Sequence, residues 1–198
     1  AAHSTGVLAE LGIPVMGLQI YSASEAYDLD KSETYKFHEG RGGYKYRYID
    51  MRKAVREAPL PKGAPLAEEL WDRLFGLYSK VIPVAEETGI RVAMHGNDPP
   101  VPRVFGAPQI MCNRADFDRL FDEIPSPSNG MTFCVGTRYE SGENVFEMIR
   151  HFGEQKRLFH VHFRNVKGKL PFGGNYSEVA PDEGDLDMAD VARALHAV

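Results

Sequence analysis

The stretch Val84-Ala85-Glu86-Glu87-Thr88-Gly89-Ile90-Arg91-Val92-Ala93-Met94-His95 decides the fold, because it passes from one periodicity to another at a single glycine. Upstream, Leu70, Leu74, Leu77, Val81 and Val84 recur at helical spacing and predict a helix from Leu66 to Thr88. Gly89 is the stop signal, and Pro83 inside the run predicts a kink. Downstream, Ile90 to His95 reads as a short buried strand ending in a histidine. The pattern then repeats. Arg114 to Ile124 reads as a helix with Phe117, Leu120 and Phe121 on its inner face, and Gly130 to Cys134 as a strand. Asn144 to Gln155 is a helix, Leu158 to Phe163 a strand and, after a long loop, Asp187 to Val198 the last helix. Before the deciding stretch, Val7 to Gly12 ends a helix and Ile13 to Ile20 reads as a buried strand. Such alternation predicts a parallel sheet with right-handed crossovers, either an open sheet or part of a (β/α)₈ barrel. No glycine-rich phosphate turn stands between a strand and a helix, so a dinucleotide fold has no support.

Three strands end in potential metal ligands: His95, Cys134 and His162. In a parallel α/β fold these are carboxyl ends of neighbouring strands, where side chains distant in sequence converge. A thiolate and two imidazoles at one point suit a divalent transition metal. Each residue taken alone has a plainer reading, His95 as a satisfied histidine and Cys134 as a small buried hydrophobe. Of the pair on the last strand, His162 is taken as the inward member and His160 as the outward one. Arg164 next to the ligand can bind a substrate carboxylate, or lie on the surface with a buried stem. Asp98 and Asn97 can orient His95 or bind hydroxyls, or else only cap the turn before Pro99. Arg41, between glycines, reaches over the site from a lid or is a solvated loop charge. Asp185 and Asp187 are expected to cap the last helix.

The 198 residues, 43% apolar and 26% charged, fit one domain with a real core. We expect a single domain over 1–198, with a long irregular loop at about 21–65 that covers a site or makes an interface. A net charge of −5 gives no electrostatic footprint for nucleic acid, and no apolar run is long enough to span a bilayer. The opening residues lack the features of a signal peptide, and two cysteines make no disulfide framework. Cys112 reads as a spare thiol, and a reduced cytoplasmic setting is the default.

Five motifs together carry a family resemblance. They are Gly40-Arg41-Gly42-Gly43, Val81-Ile82-Pro83-Val84-Ala85-Glu86-Glu87, and His95-x-x-Asp98-Pro99-Pro100-Val101-Pro102. The others are Ser126-Pro127-Ser128-Asn129-Gly130-Met131-Thr132-Phe133-Cys134 and His162-Phe163-Arg164-Asn165-Val166. From about Gly12 to Met188 the chain resembles mannonate dehydratase of the xylose-isomerase-like TIM-barrel type. That resemblance implies dehydration of D-mannonate to 2-dehydro-3-deoxy-D-gluconate in hexuronate catabolism, with Mn²⁺ or another divalent ion such as Fe²⁺. It implies that His95, Cys134 and His162 hold the metal and that an aspartate of the last barrel strand completes the set. Arg164, Arg41, Asp98 and Asn97 are the candidate substrate contacts, and the partner is a small sugar acid. Asn97 stands where the family commonly has aspartate, and Val135 where a threonine is common.

By the same resemblance the four strands correspond to strands four to seven of eight, an incomplete barrel with its acid and base residues beyond Val198. A half-barrel leaves two strand edges open, so a homo-oligomer, in the simplest case a dimer, is expected. A sugar isomerase or epimerase on the same barrel and a non-catalytic sugar-binding remnant are the alternative readings.

Overall fold

Gly89 does what its place after the periodic run predicts. At φ 71° it ends the long helix in the left-handed region, where a residue without a Cβ is unstrained, and donates its N–H to the Ala85 and Glu86 carbonyls. Two residues later the chain is already a strand. The computed structural model describes residues 2–20, 34–52 and 58–198.

In chain order the elements are helix α1 (Ala2–Glu10), strands β1 (Val15–Leu18), β2 (Tyr35–Glu39) and β3 (Lys45–Asp50), helix α2 (Ala67–Thr88) and strand β4 (Arg91–His95). A small pair β5 (Arg103–Val104) and β6 (Ala107–Pro108) precedes helix α3 (Arg114–Glu123) and strand β7 (Asn129–Cys134). Helices α4 (Val135–Glu140) and α5 (Val145–Glu154) lead to strands β8 (Leu158–His162) and β9 (Asn165–Lys167). Helix α6 (Leu170–Gly173), strand β10 (Asn175–Val179) and helix α7 (Met188–His196) complete the chain.

β1, β4, β7 and β8 lie side by side in one parallel sheet in that order, the wall of a barrel built by four consecutive βα steps. Alternation sorts their side chains. Val92 and Met94 of β4 and Met131 and Phe133 of β7 face the helices. There they pack with Leu74, Tyr78 and Val81 of α2, Phe117 and Leu120 of α3, and Ile149 and Phe152 of α5. His95, Thr132 and Cys134 are left for the opposite face.

Several expectations need correction. The strand predicted over Ile13 to Ile20 is only Val15–Leu18, and of it only Met16 is buried. It is an outer strand of the described sheet, so one flank has no neighbour to bury it. Within α2, Leu77 is 38% exposed and Val84 only half-buried, while Trp71, Tyr78 and Ile82 are buried beside the predicted positions. The apolar stripe is therefore rotated toward those larger side chains. The predicted helix itself stands: α2 runs from Ala67 to Thr88 with Pro83 on its exposed side.

The segment 21–65 is not wholly irregular. Residues 21–33 and 53–57 of it lie outside the described residues, but β2 and β3 form an antiparallel hairpin whose connection is a 3₁₀ turn at Arg41–Gly43. The alternation Tyr44-Lys45-Tyr46-Arg47-Tyr48 was a period-2 strand signal in its own right. The loop expected after β8 likewise contains β9 and β10, which join the hairpin in a second antiparallel sheet ordered β2-β3-β10-β9. Asp187 caps α7 by accepting from the Ala189 and Asp190 N–H groups at 2.8 and 3.2 Å. Asp185 instead accepts from the Gly168 N–H at 2.8 Å.

Candidate metal centre

The register of the parallel sheet builds the site. His95 ends β4 opposite Thr132, and Cys134 ends β7 opposite His162, so three strand ends meet at one edge of one face. His95 Nε2 lies 3.1 Å from His162 Nδ1, with ring centroids 4.9 Å apart. One ligand atom from each of His95, Cys134 and His162 lies within 4.8 Å of the others. His95 Nδ1 is 2.5 Å from the Gly96 carbonyl oxygen. A proton on Nδ1 donating to that carbonyl leaves the Nε2 lone pair free toward Cys134 and His162, the tautomer that a metal needs.

The donor set fits a divalent transition ion. Two imidazole nitrogens on one tetrahedral ion with bonds of about 2.0–2.1 Å stand about 3.4 Å apart, close to the spacing observed here. Burial alone pushes the Cys134 thiol up, but hydrogen bonding with His162 and His95 and the charge of Arg164 outweigh it and bring it well below its usual range. Without a metal, burial favours the neutral His95 ring, but the hydrogen bond to Cys134 outweighs it and raises the pKa, so binding a metal would release that proton and leave the Nδ1–H tautomer. A poised thiolate between two imidazoles is a soft anionic donor among nitrogen donors.

One orientation differs from expectation. His160 does not point away from His162. The two rings stand 5.2 Å apart, and both line one concavity of about 390 Å³ with Gln19, His95 and Thr132. Side chains alternate at every residue of a strand, so residues two apart share a face.

The other candidates are placed as follows. Asn97 is buried; its backbone N–H donates to Met111 O at 2.9 Å and its Nδ2 to Ile110 O at 2.7 Å, which anchors the loop after β4. Arg41 pairs with both oxygens of Asp182 at 2.7 Å in an exposed bridge between the hairpin turn and the loop after β10. Cys112 is buried, its Sγ 3.1 Å from Val101 O, and burial pushes its thiol up to about 12, which suits an inert thiol.

Asp98 and Arg164 do meet, inside a network that sequence reading missed. Arg164 Nη2 is 2.9 Å from Asp98 Oδ2 and 3.3 Å from Glu140 Oε2, and its Nη1 donates to Glu178. Tyr176 donates its hydroxyl to Asp98 Oδ1 at 2.7 Å. Gly136 makes room for the guanidinium, since a Cβ there would stand 2.7 Å from Arg164 Nε. Tyr176 and Glu178 are two apart on β10; an alternating reading of that segment as a strand would have found them together.

The charges in this network are uneven. Burial, then the nearby Asp98 charge, pushes Glu140 well above the usual carboxylate range, which favours the protonated acid hydrogen-bonded to Asp98. Burial opposes ionisation of Asp98 too, but Arg164, Glu140 and Tyr176 outweigh it and its pKa falls.

These shifts have opposite consequences for stability. The folded state keeps a proton on Glu140 that the unfolded chain releases near pH ~4.3, so this group's stabilisation declines as pH rises from there toward its folded pKa. The contribution of Asp98 is present above about pH 3.9 and is lost as pH falls through its depressed folded pKa. We expect the denaturation midpoint of Glu140→Gln to gain on the unsubstituted chain between about pH 5 and pH 8. A midpoint difference that stays constant over this range would mean that Glu140 is ionised in the fold.

The D-mannonate dehydratase (UxuA) family model matches residues 65–198. Mannonate dehydratase 2 of Halalkalibacterium halodurans is 38% identical over 130 residues, which are 65% of this chain and 37% of that protein. The chain thus spans little more than a third of the length of that curated relative. The crystal structure of mannonate dehydratase from Streptococcus suis serotype 2 superposes with a TM-score of 0.79 at 25% identity, over 98% of this chain and 55% of that one. A xylose isomerase domain protein from Planctomyces limnophilus superposes with a TM-score of 0.55 at 14% identity, over 99% of this chain and 51% of that one, a likeness of fold alone. The architecture is that of a xylose-isomerase-like TIM barrel, of which this chain builds an incomplete part.

Proposed function

Because this chain belongs to the D-mannonate dehydratase (UxuA) family, we propose that it forms the metal-holding wall of a hydro-lyase that converts D-mannonate to 2-dehydro-3-deoxy-D-gluconate. The observation that carries this reading is the convergence of His95, Cys134 and His162, with both histidines lining one concavity. In this reading they hold Mn²⁺ or a neighbouring divalent ion such as Fe²⁺. When bound, the ion supplies Lewis-acid charge for a carboxylate and an adjacent hydroxyl of the substrate.

The reaction removes the proton at carbon 2 and the hydroxyl at carbon 3 as water, and the resulting enol becomes the 2-keto acid. The chain's own residues prepare the place. The Gly96 carbonyl holds the His95 ring with its Nε2 open. Gln19, Thr132 and His160 give the concavity, at about 390 Å³ within the size range of small-ligand sites, hydrogen-bonding groups for a polyhydroxy acid. Arg164 is already balanced by Asp98 and Glu178, so the substrate carboxylate is assigned to the metal position rather than to Arg164.

The test uses the protein that carries this chain, supplied with Mn²⁺ and D-mannonate. A 2-keto-3-deoxy acid should form, and chelation should stop it. Interconversion of ketoses and aldoses with mannonate untouched would overturn the proposal in favour of an isomerase.

A further inference from the structure

We infer that Thr137 is a positioning residue for the metal centre: its hydroxyl holds the Cys134 sulfur, while Arg164 holds the hydroxyl. This rests on the reading of His95, Cys134 and His162 as metal ligands. Cys134 is the last residue of β7 and stands at the cap of α4, so one helical turn brings Thr137 back over the sulfur. Thr137 is completely buried, and its Oγ1 lies 3.0 Å from Cys134 Sγ.

The direction of the bond follows from counting protons. A threonine hydroxyl has one proton to give and two lone pairs to receive. Arg164 Nη2, 2.9 Å away, can only donate, so it occupies a lone pair. Among the described residues the hydroxyl proton then has two acceptors in reach, Cys134 Sγ at 3.0 Å and Asp98 Oδ2 at 3.3 Å. Bonds to sulfur are ordinarily longer than bonds to oxygen, so the shorter distance to the larger atom marks sulfur as the main acceptor.

Arg164 cannot easily move off this contact. Asp98, Glu140 and Glu178 surround its guanidinium, and Gly136 leaves it room on α4. It also lines a cleft with Tyr46, Arg47 and Glu178, separate from the concavity that the histidines line. The second sheet thereby reaches the sulfur: Tyr176 and Glu178 on β10 hold Asp98 and Arg164, Arg164 holds Thr137, and Thr137 holds Cys134.

An O–H bond to a coordinating thiolate fixes the direction of the sulfur lone pairs and lowers their energy. Groups that orient metal ligands in this way are typically worth about 10–100-fold in metal affinity. The test is a Co²⁺ titration of the chain, without substrate, following both affinity and the sulfur-to-cobalt charge-transfer band. Thr137→Val, nearly isosteric, should bind Co²⁺ about 10–100-fold more weakly. Its band should move to longer wavelength, because sulfur electrons freed from the hydrogen bond are easier to transfer. Thr137→Ala should behave alike, and Thr137→Ser should restore both values, with circular dichroism reporting that each variant is folded.

Unchanged affinity and band in Thr137→Val and Thr137→Ala would overturn the inference. So would unfolding of both, by making the hydroxyl a requirement of the fold rather than of the sulfur. Absence of any sulfur band in the unsubstituted chain would instead overturn the metal reading itself, and this inference with it.

Discussion

His95→Ala lowers the affinity for Mn²⁺ or Co²⁺ by about 100-fold. Structural zinc sites with four ligands bind with roughly 10–16 kcal/mol, so one ligand accounts for about 3 kcal/mol, or about two decades of affinity. His95 is no peripheral member. Its Nε2 is 3.1 Å from His162 Nδ1, and its ring orientation is set by the bond from Nδ1 to the Gly96 carbonyl. Its loss also removes a hydrogen bond that favours the Cys134 thiolate. His160→Ala is the control. It sits on the same face but outside the converging group, and should change affinity by less than about threefold. Calorimetric titration of both variants gives the comparison, and full metal occupancy in His95→Ala would sink the assignment.

Arg164→Met destabilises the chain by about 3–5 kcal/mol. The guanidinium faces Asp98, Glu140 and Glu178, and only 21% of its side chain is exposed. Removing it leaves the Asp98 charge, hydrogen-bonded to Tyr176, without a counter-ion. Partial exposure of Arg164 and Asp98 places the cost toward the low end of that range. For a chain of this size the thermal midpoint should fall by roughly 6–12 °C. Asp98→Asn in the Arg164→Met background should recover part of the loss, because the stranded charge goes with it. Equal midpoints for Arg164→Met and the unsubstituted chain would mean that solvent, not the network, neutralises these groups.

Both experiments probe features that were unequally visible in the amino-acid order. Helices α2, α3 and α5 and strands β4, β7 and β8 were legible because their signals are local: helical periodicity, a stop glycine and short apolar runs. The candidate ligands were legible for a related reason. In a parallel sheet the carboxyl ends of consecutive strands share one edge, so naming the strand ends names the neighbours. Strand β10 was missed, and Tyr176 and Glu178 with it, because Asn175-Tyr176-Ser177-Glu178-Val179 has only one buried position and little apolar contrast.

From residue order alone came the βα alternation, the Asp187 cap of the last helix and the three strand ends that converge as His95, Cys134 and His162. Those features depend on contacts within a few residues or on the fixed geometry of a strand. Tertiary structure decided the partners of Arg164, the raised pKa of Glu140, the side on which His160 lies and the closeness of Thr137 to Cys134. Asp98, Glu140, Arg164 and Glu178 are ordinary charged residues in the sequence. Only packing two sheets and a short helix around them sets the distances, and removes the water, that give each group its charge and its role.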